Sequence, residues 1–297
     1  MAIELTLTQT AFLKKGISAK DILLDDLAYG VVDSAWRLID PRDFKSDFYC
    51  FYDPNKTGCG VRVHYTPRKK ESLSITIPTP GTERDIEVSY LVLERVMKKW
   101  NLSTFLQDGM EYTLDAIPHL KEKMKQFNLV KFTHLDTRDE KVVLACVKWP
   151  IVFSSEEINE YIEKEDLEGF TNKLHKLQEN DYYYAIPRLF PKGINNEVLA
   201  VYAISPDTET ILPKVPTIDP PIDDGNRRDI HCNTYEVGLI SYEDHGVIAR
   251  LSYEDFKKEM KLEECEEYDV DHYLLKGLSE EELHILAEKY RSTNEEE

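Results

Sequence analysis

The chain has 297 residues and a net charge of −19, from 56 Asp and Glu against 37 Lys and Arg. At that length a core forms without disulfide or metal staples, and 41% hydrophobic with 10% aromatic residues excludes a disordered chain. The charge argues against nucleic acid as a partner, because a phosphate backbone repels such a surface, and no run reaches the roughly 18 apolar residues of a membrane span.

IELTL, residues 3 to 7, alternates at period two and predicts a strand; AKDILLDDLAYGVVDSAWRLI then spaces Ile22, Leu23, Leu27, Val31 and Trp36 as a helix that Gly30 interrupts. DFYCFYD and GVRVHYT, joined by PNKTGCG, predict a hairpin over residues 47 to 66, and SLSITIP a further strand. Thr82 followed three positions later by Asp85 forms a capping box, in which each side chain satisfies the other's free backbone N–H, and opens a helix to about Trp100. Its apolar residues Ile86, Val88, Leu91, Val92, Val96 and Trp100 cover more than one face, as in a helix packed on two sides.

A helix around His119 to Phe127 precedes KVVLACVKWPIVF, which reads as one central strand ended by Pro150. SSEEINEYIEK and DLEGFTNKLHKLQ predict two helices, and DYYYAIPRLF and EVLAVYAIS two strands. Residues 213 to 229, with four prolines and a glycine, predict a loop. Strands at Val237 to Tyr242 and Val247 to Leu251, a helix capped by Ser252, a strand near Tyr273 to Leu275 and a helix opened by Ser279 to Glu282 complete the chain. The tetrapeptide SYED occurs at Ser241 and at Ser252, once in a turn and once at a cap, and reads as local Ser/Asp capping chemistry. These elements predict an α+β fold of mixed, largely antiparallel sheets with packed helices, in two subdomains, residues 1–140 and an acidic 141–297.

Five cysteines at irregular spacing (Cys50, Cys59, Cys146, Cys232, Cys265) and an N-terminus without a basic, then apolar, leader predict a soluble protein of a reducing cytoplasm. Residues 219 to 297 hold 23 Asp and Glu against 9 Lys and Arg, a surface suited to steering a basic partner. Three segments, VLAVYAISPDTETILPKVP, YEVGLISYEDHGVIARLSYEDFKKEM and YLLKGLSEEELHILAE, resemble a family of uncharacterised proteins of about this length, a domain of unknown function. The resemblance implies a cytoplasmic protein of low-GC Gram-positive bacteria and supplies no activity, cofactor or catalytic residue.

RRDIHCNTYE, residues 227 to 236, holds the side chains of a thiol site, His231 and Cys232. In an extended segment the two point to opposite sides, so each needs a distant partner such as His245, His272, Asp244 or Asp271. Paired CxxC units, HExxH and glycine-rich phosphate loops do not occur, and Asp219, Asp223 and Asp224 before Gly225 lack the alternating ligands of a calcium loop. No metal and no cofactor are therefore expected. Tyr182, Tyr183, Tyr184, Arg188 and Phe190 are residue types that anchor interfaces, and Glu263, Glu264, Glu266 and Glu267 form an acidic counterpart. The expected function is non-enzymatic protein–protein contact, in its sharpest form an acidic immunity or antitoxin-type inhibitor; the alternative is a thiol or metal-dependent hydrolase centred on His231 and Cys232.

Overall fold

The computed structural model describes residues 3–23, 26–32, 38–42, 47–66, 68–192, 197–218 and 231–294, without the side chains of His231 and 291–294. Contacts group the chain into two compact units, residues 1–180 and 181–297. The first holds β1 (Ile3–Thr8), α1 (Ala19–Leu23), β2 (Ala28–Val32), β3 (Leu38–Ile39), β4 (Phe48–Tyr52), β5 (Val61–Tyr65), β6 (Ser72–Ile77) and α2 (Glu83–Trp100). It continues with β7 (Thr104–Gln107), β8 (Met110–Thr113), α3 (Ile117–Thr133), β9 (Lys141–Ala145), β10 (Pro150–Ser154), α4 (Ser155–Glu163) and α5 (Leu167–Leu177).

Eight strands form one sheet in the order β3-β2-β4-β5-β6-β1-β7-β8, antiparallel at every pairing. Period-two alternation puts Leu5, Leu7, Val61, Val63, Ile75 and Ile77 in one core with Ile86, Val92, Val96 and Met97 of α2. The reciprocal Thr82–Asp85 capping box opens α2, and Asn101 closes it in the left-handed conformation at φ 56°. Leu120 and Met124 of α3 join the same core, which accounts for apolar residues on more than one face of α2.

Two local readings change. KVVLACVKWPIVF is a hairpin, β9 against β10, and Pro150 begins its second strand instead of ending the only one. A continuous apolar run carries no turn signal of its own; residues 146–149 turn where the Val147 N–H donates to the Gly58 carbonyl, 3.1 Å away. The helix expected over Ile22 to Trp36 shrinks to α1 and gives way to β2, with Trp36 outside the described residues. A Cβ on Gly30 would meet Leu38 Cδ1 at 2.5 Å, so the missing side chain lets β3 pack close, which helical spacing cannot reveal.

The join expected near Arg138 to Lys141 falls inside the first unit, between α3 and β9. Phe170 of α5 packs against Phe132 of α3 with ring centroids 4.8 Å apart and against Phe153 of β10 at 5.5 Å, both rings tilted. The Gln178 amide donates to the Gly58 carbonyl at 3.0 Å, and His175 Nδ1 bonds the Thr57 carbonyl at 2.5 Å. Residues 141–178 are thereby held to the hairpin and helix that precede them.

The second unit contains β11 (Tyr183–Tyr184), β12 (Arg188–Pro191), β13 (Glu197–Ile204), β14 (Thr210–Pro213), β15 (His231–Ser241) and β16 (Gly246–Ser252). It ends with α6 (Tyr253–Glu259), β17 (Glu266–Asp269), β18 (His272–Leu275) and α7 (Glu280–Asn294). Two four-stranded sheets, β11-β14-β18-β17 and β12-β13-β15-β16, each contain one parallel pair, β11 with β14 and β13 with β15. The fold is α+β with seven α-helices among the described residues, none long and apolar enough to cross a membrane. Tyr202, Val237, Leu239, Leu251, Phe256, Leu283 and Ala287 share the core of this unit. Ser241 Oγ accepts the Asp244 N–H at 2.9 Å in a turn, and Ser252 Oγ accepts the Asp255 N–H at 3.0 Å at the start of α6, the paired capping chemistry that SYED implies. β14 ends at Pro213, the first residue of the expected loop; residues 219–229 of that loop lie outside the described residues.

Burial pushes the phenols of Tyr90, Tyr184, Tyr202 and Tyr253 above their ordinary value of 10.0. Above about pH 10 the unfolded chain releases these protons and the folded chain keeps them, so this contribution to stability is complete below pH 10 and is lost as pH rises further. Alkaline titration followed by tyrosinate absorbance and circular dichroism is expected to show these phenols ionising together with unfolding. Gradual ionisation near pH 10 of every tyrosine in an intact fold would contradict the burial.

Candidate functional site

β15 starts at His231, six residues before the strand expected at Val237, so residues 231–236 of RRDIHCNTYE belong to a strand. His231 lies opposite Glu197 and Cys232 opposite Val198, and a register shift then places Thr234 opposite Leu199. The Cys232 thiol lies 3.4 Å from the Thr234 carbonyl and donates to it. The His231 side chain, Arg227, Arg228, Asp219, Asp223, Asp224 and Gly225 lie outside the described residues. Of the distant partners considered for this pair, His272 is engaged elsewhere, Asp244 approaches His284 at 3.5 Å, and His245 occupies a turn at φ 55°. Of the other thiols, Cys50, Cys59 and Cys146 are buried and pack as small hydrophobes, Cys265 is half-buried, and burial pushes the Cys50 thiol up to about 12.

The aromatic and acidic segments, far apart in sequence, meet on one sheet: β11 and β17 are the outer strands of β11-β14-β18-β17. Tyr182 meets Tyr268 edge to face at 6.1 Å. Tyr184 Oη lies 3.0 Å from His272 Nε2, and His272 Nδ1 lies 2.7 Å from Asp269 Oδ1. The side chains of His272 and Asp269 are only 8% and 2% exposed, which makes this a buried relay. The Asp269 carboxylate can only accept, so Nδ1 donates to it, and a neutral imidazole then accepts the Tyr184 O–H at Nε2. Burial, then the Asp269 charge, raises the Tyr184 phenol above its ordinary range, and the relay joins three strand segments. The sequence signal was DVDH, in which Asp269 and His272 stand three apart, but only β11 brings the third member.

Arg188 and Phe190 lie instead on β12, in the other sheet. All four residues of β12 are exposed, and the Arg250 guanidinium lies over the Phe190 ring at 5.4 Å. The Lys192 N–H donates to the Glu197 carbonyl at 2.8 Å. By alternation, Arg188 and Phe190 also turn their backbone groups toward β13, while Leu189 and Pro191 turn theirs outward. Of the acidic segment, Glu263 pairs with Lys257 at 3.1 Å, Glu264 with Lys261 at 3.9 Å and Glu267 with Lys214 at 2.6 Å; Glu266 is exposed. The chain's own lysines therefore offset much of the charge offered there to a partner.

A further constellation, not anticipated from sequence, joins the turn between β15 and β16 to the first two turns of α7. One ligand atom each of Glu243, Glu280 and His284 lies within 4.8 Å of the others. His284 Nε2 is 3.4 Å from Glu280 Oε1 and 3.5 Å from Asp244 Oδ2. The Tyr242 N–H donates to Glu280 Oε2 at 3.2 Å, and the Ser241 hydroxyl, with the Tyr242 and Glu243 N–H groups, holds this carboxyl below the usual glutamate range. Glu280 and His284 share a helix face at i and i+4, a spacing visible in SEEELH; the approach of Glu243 and Asp244 from about forty residues away is not.

These features define an α+β protein of two units with a buried Asp–His–Tyr relay and a separate histidine–carboxylate cluster. The chain belongs to the family described as domain of unknown function DUF4299, which matches residues 2–286. No curated protein and no solved structure matches it.

Proposed function

We propose that the chain acts by binding another protein, with edge strand β12 as the docking surface. The observation that carries this reading is the exposure of all four residues Arg188 to Pro191, which include two large apolar side chains, Leu189 at 43% and Phe190 at 40% exposed. Exposed apolar and aromatic groups beside arginines are the composition of interface hot spots. Pro191 has no N–H, which limits pairing of a new strand along this edge. The contact therefore rests chiefly on side chains, and Arg188 with Arg250 suits an apolar segment flanked by carboxylates. An immunity or antitoxin-type inhibitor of a basic protein is the variant that draws on the acidic surface instead.

Capture experiments with the full chain separate the two. With Leu189→Ser and Phe190→Ser combined, partner recovery is expected to fall at least about tenfold, since hot-spot truncations each cost about 2 kcal/mol or more. Capture that survives this double substitution and disappears with added salt assigns binding to the acidic surface and overturns the role of β12.

A further inference from the structure

The histidine–carboxylate cluster of the second unit has a feature that ion pairing leaves unexplained. Glu280 Oε1 and His284 Nε2 are buried atoms, on side chains 21% and 36% exposed, and have no hydrogen-bond partner among the described residues, although they stand only 3.4 Å apart. A hydrogen bond between the two would satisfy both, and a buried acceptor left unbonded costs about 1–3 kcal/mol. Two lone-pair donors that share a gap without bonding each other match the first shell of a cation. Donor atoms about 2.1 Å from a tetrahedrally coordinated ion stand about 3.4 Å from each other, which is the separation observed.

We propose that Glu280 Oε1, His284 Nε2 and the Glu243 carboxylate bind a divalent transition-metal ion, with zinc as the best fit and Asp244 as the fourth protein donor. The imidazole favours zinc over magnesium or calcium, which prefer shells made of oxygen. Glu280 is already oriented, because its other oxygen accepts the Tyr242 N–H, and such outer contacts fix a ligand before the ion arrives. Glu243 and Asp244 sit in the turn and are exposed, so rotamer changes can close their remaining distance. The ion would join the turn between β15 and β16 to α7. The site is separate from β12 and does not depend on the docking reading.

The test uses the whole chain, stripped with a chelator and titrated calorimetrically with zinc chloride. One saturable site is expected, accompanied by a rise in melting temperature, because an ion that binds only the folded chain stabilises it. His284→Ala and Glu280→Gln should each weaken zinc at least about tenfold. Glutamine keeps an acceptor for the Tyr242 N–H, so the second variant separates lost coordination from lost structure. Cobalt as a probe should give the visible d–d bands of a four-coordinate site in the parent chain and lose them in both variants. Absence of a saturable site, zinc affinity unchanged in the variants, or magnesium bound as tightly as zinc would each overturn the assignment.

Discussion

Asp85→Ala is expected to destabilise the first unit by about 4 kcal/mol, the largest effect of any single polar substitution proposed for this chain. Asp85 is 3% exposed. Its Oδ2 accepts the Thr82 N–H at 2.9 Å and the Cys59 N–H at 3.0 Å, and its Oδ1 accepts the Gly60 N–H at 2.8 Å. One carboxylate thus caps α2 and fixes the turn between β4 and β5. Alanine leaves these three buried donors without their acceptor, each at a cost of about 1–3 kcal/mol, partly relieved by relaxation. Space is short as well: a Cβ on Gly58 would lie 2.6 Å from Asp85 Oδ2, so the turn already sits against the carboxylate. Thr82→Ala, which removes the hydroxyl that accepts the Asp85 N–H and donates to Asp85 Oδ2 together with a buried methyl, should cost about 1–2 kcal/mol. Urea unfolding followed by the fluorescence of buried Trp100 measures both. A loss below about 1 kcal/mol for Asp85→Ala would mean that the hub is not holding the hairpin to the helix.

The second large effect is expected at His272. His272→Ala takes from the Asp269 carboxylate its imidazole donor and from Tyr184 its acceptor, and opens a cavity in a side chain's place. Leaving the buried Asp269 carboxylate without its imidazole donor and Tyr184 without its acceptor costs about 1–3 kcal/mol for each group, and the Asp271 N–H that still reaches Asp269 at 2.9 Å keeps the expected total at about 3 kcal/mol. Tyr184→Phe deletes one hydroxyl and should cost about 1–1.5 kcal/mol. In the double variant the two losses should fall short of their sum, because both act on the same hydrogen bond. Strict additivity, measured by denaturant unfolding, would show that the relay does not act as a unit.

The candidate sites differ in how far sequence could reveal them. The aromatic and acidic segments were recognisable by composition, yet Tyr184 turned out to serve a buried relay while Phe190 stays on the surface. The difference lies in the strand that each joins: β11 pairs with β14, and β12 with β13. Cys232 turns to the Thr234 carbonyl, and the side chain of its neighbour His231 lies outside the described residues. The histidine–carboxylate cluster was half visible, as Glu280 and His284 one helical turn apart, without the turn that faces them.

What the sequence determined by itself is local. Thr82 with Asp85, Ser252 with Asp255 and Ser279 with Glu282 mark helix starts within four residues, and each forms with its cap bond in place. Period-two runs such as IELTL and SLSITI likewise specify strands and their buried faces, because alternation is a property of neighbouring positions. The family too was legible in the segments that resemble it. Tertiary structure decided the rest: the turn inside KVVLACVKWPIVF, the short β2 and β3 pairing over Gly30, and the extent of the first unit to residue 180. The same holds for the relay of Tyr184, Asp269 and His272 and the meeting of Glu243 with Glu280 and His284. Each depends on groups tens of residues apart whose approach is set by packing, and no local pattern in the chain carries that information.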